Sequence, residues 1–488
     1  MLTYALDKRG TQSLYEYLYG CIKNDIVRGT LAAGTRLPSK RAFAQQLGVS
    51  VITVENAYEQ LVAEGYLEVK PRKGFFVAAL AEIPLESQQS AMQLHQHASF
   101  APSKGVNVDN NAENENRAII ADFSNNQTDP ESFPFATWSK LMRATMTERP
   151  SDLLHKSPTG GVFELRKALA EHLYNYRAMS VSPEQIIVGA GSEYLHGLLV
   201  NLFGQEKRYA VENPGYLKVA ATYQAHGASC TFAPIDSAGV LPDALTACKA
   251  DVAHISPTHH FPTGITMPVS RRYELLSWAA QAPDRYLIED DYDSEFRLKG
   301  RPIPALQSID ISERVIYLNT FTKSLASTIR VSYMVLPPHL VERFNERLGF
   351  LSNTVSNFEQ YTLATFLSEG YFERHISRLR HRYQKRRDYL LGALAASDFS
   401  SLVTISEEDA GLHFLLHVAP SLDPLALKEC ALKRGVKLAN LNEYEHVQSA
   451  KRVPSQTFVM NYSSLQDAQI EEGLLALGAA IKEVQARG

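Results

Sequence analysis

From about Asp122 onward, short apolar or β-branched runs recur between segments of helical periodicity: QIIVG, RYAVE, VAHIS, RYLIEDD, RVIYLNT and YMVLP. Runs this short and this apolar suit strands buried on both faces. Parallel neighbours need a crossover, and a helix supplies it, so the alternation specifies a mostly parallel, doubly wound α/β sheet. A later run, HFLLHV at 413–418, marks a smaller C-terminal α/β lobe.

The N-terminal part has a different period. Apolar residues at Leu14, Tyr17, Leu18, Cys21 and Ile22 give one helix across Ser13–Arg28. Ser39 is placed to cap a second helix with Ala42, Phe43 and Leu47 facing inward, and Gly48 ends it. A third helix opens at Ser50, turns Val54, Ala57 and Leu61 inward, and stops near Gly65. Tyr66–Val69, the basic turn Lys70-Pro71-Arg72-Lys73-Gly74 and Phe75–Val77 read as a hairpin. Between 78 and 118, polar clusters such as ESQQS and NVDNNAENEN keep no apolar period, the mark of a flexible linker. The expected division is a head over 1–77, a linker over 78–118 and a body over 119–488.

Charge follows the same division. Residues 1–77 carry ten Lys/Arg against seven Asp/Glu, residues 78–121 carry two against five, and the remainder 37 against 41. A small basic head on an acidic body suits contact with a polyanion. The composition, 45% hydrophobic and 21% charged, is that of a soluble globular protein. No run approaches the roughly 18 consecutive apolar residues of a membrane span. The start, MLTYALDKRG, lacks a secretory pattern. Cys21, Cys230, Cys248 and Cys430 are too scattered for a zinc site or a disulfide framework, so no metal is expected and a reducing cytoplasm is the expected location.

A helix, a glycine-containing turn and a second helix form the frame that sets a recognition helix in the major groove. Ser39–Leu47 and Ser50–Glu64 would be those helices, and the hairpin a wing whose Lys70, Arg72 and Lys73 suit phosphates or the minor groove. Periodicity alone serves equally well a three-helix protein-interaction module with a solvated basic turn. The run LPSKRAFAQQLGVSVITVENAYEQLVAEGYLEVKPRKGFFV closely resembles the GntR-type winged helix-turn-helix, a likeness covering about residues 10–77. The resemblance implies contacts to double-stranded promoter DNA from Ser39, Lys40, Arg41, Thr53, Asn56 and the wing. Val51 departs from the family, which usually has Arg directly after the Ser that opens the recognition helix.

In the body, Ile186-Ile187-Val188 leads into Gly189-Ala190-Gly191-Ser192-Glu193, a strand running into a helix N-terminus where phosphate is attracted. The same turn is also an ordinary strand-to-helix connection. LIEDDYDSEF puts acids at the end of an apolar strand, where a carboxylate needs a cationic partner. A pyridinium nitrogen is one such partner for Asp290, with Tyr292 able to bond a ring oxygen; a metal site or a solvated acidic loop reads equally well. VIYLNTFTKSLASTIR places Thr320, Thr322 and Lys323 past another strand, with Arg330 seven residues on. Lys323 is a Schiff-base candidate or a surface charge.

Taken together, ENPGY (Glu212–Tyr216), SPTHHFPTG (Ser256–Gly264), EDDYDSEF and TFTKSLASTIR stand in the order and approximate spacing of the fold-type I aminotransferases. SPTGGVFELRKALAEHLYNYR, with Gly160 and Arg166, fits as well. An aminotransferase-like body behind a GntR-type head is the pattern of the MocR/GabR regulators, which this chain resembles over nearly its whole length. The resemblance implies pyridoxal 5'-phosphate as cofactor, with Lys323 as its Schiff-base residue, Asp290 on the pyridine nitrogen and Tyr292 on the ring hydroxyl. It places Ser192, Thr320, Thr322 and Arg330 at the phosphate, with Glu193 beside them, and has Tyr216 line the site in a homodimer. Three departures stand out: Asn319-Thr320-Phe321-Thr322-Lys323 for the usual Gly-Thr-Phe-Ser-Lys, His260 for a usual Gln, and Val459 where amino-acid-binding relatives often carry a carboxylate-gripping Arg. His260, Lys218 and Arg452 are the candidate effector contacts. The reading that follows is a transcription regulator whose body senses a small amine, an amino acid or the cofactor itself, rather than an enzyme. A working aminotransferase with an accessory head is the alternative, and an interaction adaptor with a vestigial site a third.

Overall fold

The structure, a computed structural model, describes Tyr4 and residues 13–70, 73–79, 119–298, 303–409, 411–446 and 455–487. In the head, Leu18, Ile22 and Ile26 of the helix Leu14–Val27 meet Phe43 and Ala44 of Lys40–Leu47. Val54, Ala57, Tyr58 and Leu61 of Val51–Ala63 complete this core. Ser39 and Ser50 cap the second and third helices by accepting the N–H groups of Ala42 and Thr53, two of the donors that a helix start leaves unpaired. Gly48, left-handed at φ 65°, ends the second helix. Because that helix starts at Lys40, Phe43, Ala44 and Leu47 face the core; Ala42, expected inside, is exposed. One residue is about 100° of helical rotation, enough to carry Ala42 off the buried face. The hairpin pairs Leu67–Lys70 with Gly74–Val77. Ala78 extends it, buried and donating its N–H to the Tyr66 carbonyl. From residue 80 to 118 the expected linker lies outside the described residues.

The body is an eight-stranded sheet in the order Ile186–Gly189, Ser332–Val335, Val315–Thr320, Tyr286–Asp290, Val252–Ile255, Arg208–Asn213, Ser229–Asp236 and Gly239–Val240. All run the same way except Ser332–Val335 and Gly239–Val240, which pair antiparallel with their neighbours. The QIIVG, RYAVE, VAHIS, RYLIEDD and RVIYLNT segments are the buried parallel strands, as the alternation specified. The 26-residue helix Tyr371–Ala396 leads to the lobe, an antiparallel sheet in the order Val403–Ser406, His413–Val418, Thr457–Asn461, Ala439–Asn440. No helix of the described residues is long and apolar enough to cross a membrane.

Among the described residues, head and body meet around Gly65 and Val269. Gly65 (φ 80°) sits where a Cβ would come within 2.9 Å of Pro268 Cβ and of the Val269 nitrogen. The Val269 N–H donates to the Glu64 carbonyl at 3.0 Å, and the Val269 side chain joins the head's apolar cluster, with Tyr273 and Ile309 packed alongside. Val269 also begins the body helix Val269–Ala280.

Candidate functional site

Parallel strands deliver their carboxyl ends to one edge of a sheet, and ligands gather there. Asp290 ends its strand opposite Leu318 of the next, and Thr320, Phe321, Thr322 and Lys323 follow directly. Across the antiparallel strand, Thr320 pairs with Ser332, and Ser332 with Gly189, so the glycine turn, Ser332 and Thr320 lie in one line. The Ser332 hydroxyl donates to Thr320 Oγ1 at 2.9 Å, and the Thr320 and Thr322 hydroxyls are 2.8 Å apart.

Gly191 (φ 92°) precedes the helix Ser192–Phe203, and a Cβ on it would collide with the Arg330 guanidinium. Arg330 is thus set against the N-terminus of the helix that Ser192 opens. The Glu193 carboxylate accepts from Arg330 and lies 2.5 Å from Lys218 Nζ, so a negative group already sits between two cations there. Helix N-terminus, three hydroxyls and a guanidinium together could hold a phosphate.

Lys323 Nζ donates to Asn126, to its Oδ1 at 2.7 Å and to its carbonyl. Burial lowers the Lys323 amine to about 8, which leaves a substantial neutral, nucleophilic fraction near neutral pH. Asp290 Oδ2 lies 3.3 Å from His254 Nε2, whose Nδ1 is 2.9 Å from the Tyr223 hydroxyl. One tautomer satisfies both: Nε2–H donates to Asp290, and Nδ1 accepts from Tyr223. The Asp290 side chain stays 19% exposed and can take a further donor from the cleft. Tyr292 OH is 3.1 Å from His259 Nδ1, which is itself 2.8 Å from Asp293. Burial first, then His259, with Lys323 among the further charged neighbours, holds His413 well below the usual imidazole range.

Of the candidate effector contacts, His260 is buried 3.4 Å from Glu212 and bonds Thr263 through Nδ1. Burial lowers His260 to about 3 and raises Glu212 to about 8, so both are neutral at pH 7 and a protonated Glu212 can donate to the imidazole. Lys218 is committed to Glu193 at the phosphate end. Arg452 lies outside the described residues. Tyr216 is exposed, its ring edge-on to Phe261.

In the head, Ser39 serves as a cap, and Thr53 bonds the Ser50 hydroxyl at 2.8 Å. Lys40 Nζ lies 2.6 Å from Glu55 and 3.6 Å from Glu59, which draws it onto the third helix. Arg41, Asn56 and Lys73 are exposed, and Lys70 lies over the Phe76 ring. Arg72 is outside the described residues. Val51 and Ile52, 42% and 66% exposed, put an apolar surface on the first turn of that helix.

Residues 14–77 match the bacterial regulatory proteins of the gntR family, and residues 119–472 match aminotransferase class I and II. The chain is 36% identical over 470 residues to the uncharacterized HTH-type transcriptional regulator YdeL of Bacillus subtilis (strain 168), covering 96% of this chain and 97% of the relative. It is 31% identical over 486 residues to the probable rhizopine catabolism regulatory protein MocR of Rhizobium meliloti, covering 99% and 97%. The chain belongs to the MocR/GabR family of GntR-type regulators. Among solved structures, the multiple substrate aminotransferase of Thermococcus profundus superposes with a TM-score of 0.68 at 25% identity, over 78% of this chain and 97% of that one. Aminotransferases of this class depend on pyridoxal phosphate.

Several residues of this MocR/GabR site escaped the sequence reading. Asn126 lies in a polar stretch, SNNQTDP, with no period to flag it. Ser332 reaches the cradle only through cross-strand register. His254 carried a usable signal, as the one imidazole in the apolar run VAHI, a strand buried at every position. On the far side of the cleft, Phe261, Leu415 and Val459 form one buried apolar cluster against which Tyr292, Leu441 and Tyr444 pack.

Proposed function

We propose that this chain is a homodimeric, pyridoxal-phosphate-binding transcription regulator. Its head (1–77) holds double-stranded promoter DNA, its linker (78–118) tethers the head, and its body (119–488) senses a small amine, an amino acid or the cofactor. One observation carries the reading. The segment that brings His259, His260 and Phe261 to the cleft runs without interruption into Pro268 and Val269, and Val269 is packed in the head's own core. It is stiffened along its length: the Met267 N–H donates to the Pro257 carbonyl, and Arg272 donates to the carbonyls of Met267, Pro257 and Pro304. A rearrangement around His259 or Phe261 therefore reaches the head through about ten residues of braced backbone. Ligand shifts such a coupled pair of arrangements only as far as it prefers one of them.

The fit to pyridoxal phosphate rests on the Arg330 guanidinium set at a helix N-terminus, on the Cβ-free approach at Gly191 and on the softened amine of Lys323. Ser192, Thr320, Thr322 and Arg330 would take the phosphate, with the N–H groups of the helix start. Asp290, oriented by His254 and Tyr223, would hold the pyridine nitrogen protonated. Tyr292 would bond the ring hydroxyl. When bound, the cofactor supplies a carbonyl that captures amines and a ring that withdraws electrons. Asn126, which accepts from Lys323 Nζ through its Oδ1 and its carbonyl, would orient that amine in the site.

The test is DNA binding by the full chain, followed by anisotropy with and without pyridoxal phosphate and amine ligands, for native protein and Lys323→Ala. The reading expects ligand-dependent affinity in the native protein and none in the variant. Equal ligand response in both would remove the body from signal sensing. Continuous release of 2-oxo acid at ordinary enzyme rates, about 1–10³ per second, would instead make the chain an aminotransferase.

A further inference from the structure

The cleft wall opposite the phosphate cradle is aromatic and apolar. Phe261 is its hub: its ring centroid lies 5.1 Å from Tyr444, 5.3 Å from His413, 5.9 Å from Tyr216 and 6.5 Å from Tyr292, each close to edge-on. Behind it stand Leu415 and Val459, directly paired across the lobe sheet, with Val459 fully buried. His413, which packs on Phe261, lies close enough to Lys323 for that charge to help hold its imidazole low, so the cluster borders the Lys323 end. Of the cations that the described residues bring here, Arg330 and Lys323 are those assigned above to the cofactor, and Lys218 Nζ lies 2.5 Å from Glu193 at the phosphate end.

We propose that the effector is a primary amine with an aromatic or bulky apolar body and no carboxylate beside the nitrogen. The proposal rests on the reading that amines engage a cofactor held by Lys323, and it names the class of amine. The side chains of Val459 and Leu415 offer a carboxylate no donor, so one set against them would lose its water without return from either, the costly way to bury an ion. An aromatic body meets rings whose edges and faces already pack in edge-to-face pairs. With the cofactor bound, the incoming amine would replace Lys323 on its carbonyl carbon: one carbon–nitrogen double bond would replace another, the two protons lost by the amine nitrogen would pass to Lys323, and nothing would be oxidised.

The experiment titrates full-length protein, loaded with pyridoxal phosphate, with matched pairs: phenethylamine against phenylalanine, and tyramine against tyrosine. Each pair is compared at equal concentration of unprotonated amine. Displacement of Lys323 is read from the visible absorbance band, and binding independently from the shift in melting temperature. The amine of each pair should half-saturate at a concentration at least about tenfold lower, the scale of one unmatched buried charge. Val459→Arg should narrow or reverse that preference, and Phe261→Ala should weaken both members of a pair. The comparison on the native protein stands even if Val459→Arg does not fold. Equal or better binding of the amino acids overturns the inference and leaves the sensing reading intact; loss of that binding in Arg452→Ala would identify the carboxylate's partner. A band that forms but responds to neither member of any pair overturns amine sensing itself, and the inference with it.

Discussion

The side chains gathered around Lys323, among them Asn126, Asp290, Thr320, Thr322 and Arg330, are donors, acceptors and ions, whereas around Val459 they are aliphatic and aromatic, with polar atoms only on the tyrosines and His413. The hydroxyls, helix start and Arg330 of the first end come from two short stretches, 189–193 and 320–332, at the tips of three adjoining strands. The second draws on Phe261, Tyr292, Leu415, Leu441, Tyr444 and Val459, from both the main sheet and the lobe. The contrast separates two tasks. One end carries groups suited to a phosphorylated ring, and on the reading proposed above the other would set which amine can approach it.

Four measurements sharpen or break this division. The largest effect is expected for Lys323→Ala, which should abolish the visible band of protein mixed with pyridoxal phosphate while leaving the fold intact by circular dichroism. A surviving band would move the reactive amine elsewhere. Next, Phe261→Ala should destabilise the protein by about 3 kcal/mol in denaturant unfolding, the usual cost of emptying a buried aromatic site. A loss under about 1 kcal/mol would mean that the wall is loosely packed and not a preformed surface. Third, Arg330→Ala should weaken pyridoxal phosphate by about 10–100-fold and leave pyridoxal, which lacks the phosphate, nearly unchanged. Equal weakening of both would take Arg330 off the phosphate.

The smallest effect is in pH. With the Lys323 amine lowered to about 8 by burial, the protonated form dominates below that value and the neutral nucleophile above it. Capture of pyridoxal phosphate, followed by stopped-flow absorbance, should therefore quicken about fivefold from pH 7 to pH 8 and level off beyond. A rate flat across that interval would contradict a softened lysine.

The same contrast explains what could be read without coordinates. The Lys323 end was legible as a gathering of motifs because a strand tip, its turn and the next helix start are contiguous, so Gly189–Glu193, Asp290, Tyr292 and Thr320–Lys323 stood out as short runs. Family likeness supplied their order. The far wall was legible only as an absence, Val459 in place of an Arg, because the cluster around Phe261 comes together only when lobe and sheet fold. Asn126 was missed for a related reason: its bonds to Lys323 span 197 residues. In the head, the caps at Ser39 and Ser50 were plain from residue type, while Ala42 was placed wrongly by one step of helical phase.

The contact at Gly65 bears on how such a chain can be recombined. Val269, a residue of the body, completes the apolar core of the head, and Gly65 leaves no room for a side chain against Pro268. The two parts are therefore not interchangeable cassettes. A chimera that joins this head to a relative's body inherits an unfilled socket unless the donor supplies an equivalent of Val269 at the start of the matching helix. Homologous exchange would have to carry that residue along with the head, although they stand about two hundred positions apart in the gene product.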